Sequence, residues 1–197
     1  MSGSYDPVQI SRQLKSFHLT SLYRVTHARH RDTPLGVAVA PSRFSDHRGK
    51  FAVLYAADNV ACAVWESMIR NRFTRVKRRL LALREVRTRL VVRLAATAAL
   101  PLVDLRGDGL IRIGAPTAVT HDANHAAGRA LATAVQNTLP EAAGFLYQSR
   151  FTGHNCAAIF DRAIDKLSVL SVTPLITHPA LWTALDDYQV VLAEPSH

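Results

Sequence analysis

Short apolar segments of strand length, set off by polar or turn-forming residues, constrain this chain most. Ala52–Ala56 (AVLYA), Leu90–Ala95, Pro101–Leu105 (PLVDL), Gly144–Gln148 (GFLYQ) and Cys156–Phe160 (CAAIF) are all of this kind. Apolar runs this short, with β-branched and aromatic residues among them, predict strands. Ser21–Val25 (SLYRV) predicts another, Gly36–Ala40 is a small-residue segment closed by Pro41, and Tyr188–Leu192 predicts a last strand. Ser168–Ile176 reads as extended, with Pro174 directing its end to a sheet edge. Helical patterns are fewer. Asp58 or Asn59 caps a helix to about Arg72, with Val60, Val64, Trp65, Met68 and Ile69 on its core face. Asn124–Asn137 carries Ala127, Leu131, Ala134 and Val135 on one face, and His178-Pro179 opens a short helix. Several strands follow one another with no helix between them, which predicts an α+β fold. At 197 residues the chain is expected to form one domain.

Charge is concentrated in one place. The chain has 24 Lys and Arg against 15 Asp and Glu. Arg70–Arg93 holds ten basic residues and one acid, Glu85, while the rest of the chain balances. Three readings compete for this stretch: a nucleic-acid patch, a docking face for an acidic protein, or a solvated loop and helix face without a specific partner. No aromatic residue follows Phe73 in the run to stack on bases, which disfavours the first.

Several function classes find no support. No apolar run approaches the ~18 residues of a membrane span, and the N-terminal residues carry no apolar segment of the secretory type. A cytoplasmic protein is therefore expected, with Cys62 and Cys156 as reduced core thiols. No glycine-rich dinucleotide or phosphate loop is present. Ser149 lacks the glycines of a nucleophile elbow. The pairs His27/His30 and His121/His125 lack the metalloprotease glutamate, so no metal site is expected.

One set of polar residues is oddly placed. Arg24 stands in an apolar strand, Arg43 sits between Ser42 and Phe44, Tyr55 ends a buried strand, and Glu66 lies mid-helix beside Trp65. Ser149 and Arg150 end the strand GFLYQ, and Asn155 follows the next turn. Each alone has an ordinary structural explanation: a snorkelling arginine, an exposed glutamate, a turn serine.

Taken in order, LYR, SRFS, AVLYAADNVACAVWE and GFLYQSRFTGHNCAAIF resemble the RES domain, over about Ser21 to Asp161. That family is named for an arginine, a glutamate and a serine. It supplies the toxin half of bacterial toxin–antitoxin pairs, usually beside an Xre-like DNA-binding antitoxin. The resemblance implies an ADP-ribosyltransferase-like fold, α+β, with mixed sheets and flanking helices. It implies an N-terminal extension (1–20), an NAD-binding catalytic region (21–161) with an Arg-rich insert (70–93), and C-terminal strands and a helix (162–197) packing on the same domain.

The resemblance further implies consumption of NAD by hydrolysis or phosphorolysis of the nicotinamide–ribose bond, with inorganic phosphate as a co-substrate in the second case. Protein ADP-ribosylation by the same site is the alternative, and a basic RNA-cleaving toxin a more distant one. Carried over by position, the catalytic residues are Glu66, Arg43, Tyr55 and Ser149. Those binding NAD are Arg24, Arg43, Tyr55, Ser149 and Asn155. The implied partners are NAD and an Xre-like antitoxin, with no membrane and with nucleic acid reached only through the antitoxin. A homodimer within such a complex is compatible with this. Many family members have Trp-Asn after the second arginine, where this chain has Phe44-Ser45.

The residue types suit the chemistry. Cleaving the glycosidic bond develops oxocarbenium charge on the ribose, which a carboxylate such as Glu66 stabilises. Guanidinium groups suit the two phosphates without a metal. A tyrosine can stack on the nicotinamide ring, and a serine hydroxyl can bind a phosphate or ribose oxygen. Nicotinamide leaves as a neutral molecule, so no general acid is needed.

Overall fold

Eight strands join in one mixed sheet in the computed structural model, which describes residues 5–37, 40–46, 49–70, 72–73 and 75–194. They are β1 (Leu14–Phe17), β2 (Leu22–His27), β3 (Val53–Ala57), β5 (Arg89–Ala96), β6 (Leu100–Asp104), β7 (Gly144–Gln148), β8 (Asn155–Phe160) and β9 (Leu167–Pro174). Their order is β1-β6-β7-β8-β3-β2-β5-β9. Only β6 and β7 pair in parallel within it, and the connection between them carries α4 (Gly109–Arg112), α5 (Ala118–His121) and α6 (Ala126–Thr138). A separate parallel pair joins β4 (Arg79–Ala82) to β10 (Val190–Ala193). The remaining helices are α1 (Pro7–Arg12), α2 (Val60–Val64), α3 (Leu83–Arg87) and α7 (Pro179–Asp187). The α+β expectation holds. Part of the 36–40 segment, residues 38 and 39, lies outside the described residues.

The central strands are apolar throughout because both of their faces are covered. Phe145 and Tyr147 on β7, with Val53 and Ala57 on β3, face the core that includes Leu131 and Val135 of α6. Leu146, Leu54, Ala157 and Ile159 face the opposite core, with Leu100 and Leu167. Gly144 is needed where β7 meets β8: at φ +148, an added Cβ would lie 2.0 Å from the Ala158 carbonyl oxygen. β9 takes the sheet edge, as Pro174 predicts. A third core joins α2 to α7 and β10 through Val60, Val64, Leu181, Leu185 and Val190.

Two local expectations change. The helix expected to reach Arg72 runs as α only to Val64, widens into a π-turn over Trp65–Ile69, and ends at Arg70. The Ser67 hydroxyl donates to the Ala63 carbonyl at 2.6 Å, and the Arg70 N–H closes on Trp65 O at 2.8 Å. Back-bonding of this kind competes with the regular ladder and accompanies such widening. Residues 79–93 of the basic stretch are not simply a solvated loop and helix face. They form β4, α3 and the start of β5, and Leu81 and Val86 are fully buried.

The feature that makes a site is a gap in the pairing. β2 pairs with β5 over six residues, but with β3 only at Tyr23–Ala57. The sheet therefore splays between β2 and β3, and the cleft opens there.

Candidate active site

The splayed junction forms a cleft of about 280 Å³. β2 contributes Tyr23, Arg24 and Val25, and β3 contributes Val53, Tyr55, Ala56 and Ala57. The helix after β3 adds Ala63, Glu66, Ser67 and Arg70; the loop before β3 adds Ser42 and Arg43. Tyr147 and Cys156 close the floor from β7 and β8.

Glu66 is positioned from both of its sides. Asn59 caps α2, its Oδ1 accepting from the Cys62 N–H at 2.8 Å. The π-turn then turns Glu66, half-buried, into the cleft. From behind, the buried Ser149 donates its hydroxyl to Glu66 Oε1 at 2.6 Å. Ser149 Oγ also accepts from the N–H groups of Phe151 and Thr152, at 3.2 and 3.4 Å, which fixes its own direction. Ser149 therefore stands behind the carboxylate and outside the cleft lining.

Arg43 is held by carbonyls. Its guanidinium donates to Val119 O at 3.2 Å and Asp122 O at 2.9 Å, and the residue is 6 % exposed. Burial, with the charges of Arg150 and Arg70, holds its pKa below the ordinary value against the opposing influence of Tyr147 and Glu66. The loop it belongs to lies on α6 at Gly128, where a Cβ would come within 2.5 Å of Arg43 O. Arg24 donates to Pro34 O at 3.2 Å and to Gly36 O at 2.9 Å. Neither arginine forms an ion pair with a carboxylate among the described residues, so both bring positive charge to the cleft.

Tyr55 turns its ring to the cleft and its hydroxyl to the Arg43 loop. That hydroxyl accepts from the Phe44 N–H at 2.8 Å and shares a hydrogen bond with Ser42 Oγ at 2.9 Å. Asn155 lies away from the cleft. Its side chain donates to Asp58 Oδ2 at 3.1 Å and its N–H to the same oxygen at 3.0 Å, while Arg106 donates to Asn155 Oδ1 at 3.4 Å. This locks the start of β8 to the turn from which α2 departs.

The structure thus brings Arg24, Arg43, Tyr55 and Glu66 to one cleft, sets Ser149 directly behind Glu66, and places Asn155 beneath the helix start. Sequence reasoning missed Tyr23, Ser67, Arg70, Tyr147 and Cys156 as lining residues. Arg70 alone had a signal, being one helical turn beyond Glu66. The two cysteines are free and buried, with their sulfurs 3.6 Å apart. Their contact, together with burial, pushes the Cys156 thiol up. His121 is occupied with Thr120 Oγ1 at 2.7 Å, and His125 begins α6.

A profile of the RES domain matches residues 21–183 of this chain. The chain belongs to the RES domain family. The match extends past Asp161 to take in β9 and most of α7. Within curated proteins, this RES domain chain is similar to a Sinorhizobium fredii protein described as "Probable toxin y4kH". The two are 36 % identical over 90 residues, 45 % of this chain and 71 % of that protein. Among solved structures, it resembles a chain of the Mycobacterium tuberculosis MbcT–MbcA toxin–antitoxin complex. That likeness has a TM-score of 0.67 at 15 % identity, covering 92 % of this chain and 96 % of the other, and concerns the fold alone. No helix among the described residues is long and apolar enough to cross a membrane.

Proposed function

We propose that this RES domain protein is the toxin of a toxin–antitoxin pair, and that it acts by cleaving the nicotinamide–ribose bond of NAD. One observation carries the reading. A single cleft holds a carboxylate, Glu66, fixed by the Ser149 hydroxyl at 2.6 Å, together with arginines that form no ion pair with a carboxylate of the described residues. That pairing of charges matches a substrate with an anionic pyrophosphate and a ribose that becomes cationic in the transition state.

Arg24 and Arg43 hold the phosphates through guanidinium donors left over from their carbonyl contacts. Tyr55 and Tyr147 offer ring faces beside them. The cleft is small for a ligand site, against a usual range of roughly 300–1,000 Å³. It takes the nicotinamide–ribose end, and the adenosine end extends along its open side. The bond between the ribose anomeric carbon and the nicotinamide nitrogen breaks, and its electron pair leaves with neutral nicotinamide. Glu66 stabilises the oxocarbenium left behind. An oxygen of water or of inorganic phosphate then bonds to that carbon, and water gives up its extra proton to solvent, giving ADP-ribose or its phosphate ester.

Incubating the purified protein with NAD, with and without phosphate, tests the reading. Release of nicotinamide is expected, and the second product identifies the acceptor as water, phosphate or a protein side chain. Intact NAD, together with salt-sensitive RNA binding at sub-micromolar protein, would replace this reading with a nucleic-acid one. An antitoxin partner is supported by the complex in which the structural relative was solved.

A further inference from the structure

Arg70 occupies an unusual position in the fold. It follows the π-turn that carries Glu66, and its backbone sits at φ +28, ψ −117. L-residues rarely adopt that region, and non-glycine residues held there cluster at functional sites. Glycine would fill the position at lower conformational cost. The side chain that stands there instead is a guanidinium lining the cleft.

Its bonding differs from that of its two neighbours. Arg24 and Arg43 each spend donors on two backbone carbonyls. Arg70 makes no side-chain hydrogen bond or ion pair among the described residues, although Glu66 lies only four residues before it. Both residues line the same cavity, and no ion pair or side-chain hydrogen bond joins them among the described residues. The charge of Arg70 is felt by a neighbour in the lining: after burial, Arg150 and Arg70 are the charges that hold the Arg43 guanidinium below its ordinary pKa.

We infer that Arg70 is a phosphate-binding residue of the cleft, a third guanidinium whose donors are kept free for the anion. The inference rests on the NAD reading above and deepens it. The π-turn gives it a structural logic: one widened turn places the carboxylate for the cationic ribose and the guanidinium for the anionic phosphates on the same wall. Two sources of phosphate fit this chemistry, the dinucleotide's pyrophosphate and an acceptor phosphate, and the dinucleotide is the one the shared lining favours.

The test compares the parent protein with Arg70→Gly and Arg70→Lys. ADP-ribose and inorganic pyrophosphate are titrated by calorimetry, and NAD consumption is followed at varied NAD and varied phosphate. Glycine suits a positive φ, so Arg70→Gly should melt no lower than the parent. It should weaken ADP-ribose binding and raise the KM for NAD by about tenfold, the loss of one charge-assisted contact. Its kcat should fall far less than in Glu66→Gln, and Arg70→Lys should lie between the parent and Arg70→Gly. If only the half-saturating phosphate concentration rises, the phosphate that Arg70 holds is the acceptor's. Unchanged ADP-ribose affinity with unchanged KM values for NAD and phosphate overturns the inference and leaves the NAD reading standing. A parent that binds ADP-ribose through Arg70 but leaves NAD intact overturns the reaction and keeps the anion site.

Discussion

The Ser149 hydroxyl donates to the Glu66 carboxylate at 2.6 Å, across 83 residues of sequence. Ser149 opens the turn after β7, and Glu66 rides on the π-turn after α2, so this hydrogen bond ties the two halves of the site together. A donor aimed at one carboxylate oxygen leaves the other oxygen for the substrate.

That relationship separates two variants. Glu66→Gln keeps the size and can keep the bond from Ser149, but removes the charge facing the ribose. NAD turnover should fall at least ~10²-fold, about 2.7 kcal/mol of transition-state stabilisation, with the melting temperature near the parent's. Ser149→Ala leaves the charge and frees its direction. Here kcat should fall ~10-fold, with about 1 kcal/mol of stability lost as two turn N–H groups lose their acceptor. Initial rates and thermal melts on both variants check this; near-parent turnover in Glu66→Gln rejects the assignment of Glu66.

Tyr55→Phe keeps the ring and removes only the hydroxyl that accepts from Phe44 and bonds Ser42. The Phe44 N–H then loses its acceptor, which costs about 1–3 kcal/mol. The Arg43 loop loosens with it. Denaturant unfolding should show the loss, and the KM for NAD should rise more than kcat falls. A variant as stable as the parent with parental KM would mean that the hydroxyl does not anchor the loop.

Alkaline pH should expose the buried phenols. Burial first, with negative neighbours, pushes Tyr147 well above the ordinary tyrosine value of 10.0, and burial raises Tyr55 as well. The unfolded chain ionises first, so this contribution to stability is complete below pH 10 and is lost as pH climbs through the folded values. Urea unfolding followed from about pH 8 to about pH 11.5 should show stability falling above pH 10, and falling less steeply in Tyr147→Phe. A parental slope in Tyr147→Phe would exclude that residue as a contributor.

The basic stretch divides by structure. Arg79 donates to Tyr188 O at 2.8 Å and so links β4 to the chain before β10, and Arg72 forms a two-point pair with Glu85 at 2.8 and 3.1 Å. Lys77 and Arg78 are exposed. Replacing these two by Gln should leave NAD turnover within about twofold, while slowing association with an acidic partner and flattening its salt dependence. Stopped-flow association with the cognate antitoxin at two salt concentrations measures this. An unchanged rate at low salt would show that these charges do not steer binding.

What the sequence determined by itself is what local pattern encodes. The span of β7, a cap at Asp58 or Asn59, the apolar face of α6 and the edge position of β9 follow from residue size, periodicity and proline geometry within a few neighbours. The roster of Arg24, Arg43, Tyr55, Glu66 and Ser149 follows from the resemblance of their sequence contexts to the RES domain, since each alone has an ordinary structural explanation. The tertiary structure decided what those residues do to one another. β4 was not legible inside its arginines because it is a strand only through pairing with β10, more than a hundred residues later. The π-turn leaves no mark in the apolar spacing, so the one signal of Arg70, its place a helical turn beyond Glu66, was masked by the run of charge around it. Tyr55's hydroxyl, Asn155's place beneath the helix start and Ser149's hold on Glu66 are hydrogen bonds between distant segments. Such bonds have a direction and reach of about 3 Å, and only the packed arrangement of the elements brings donor and acceptor within it.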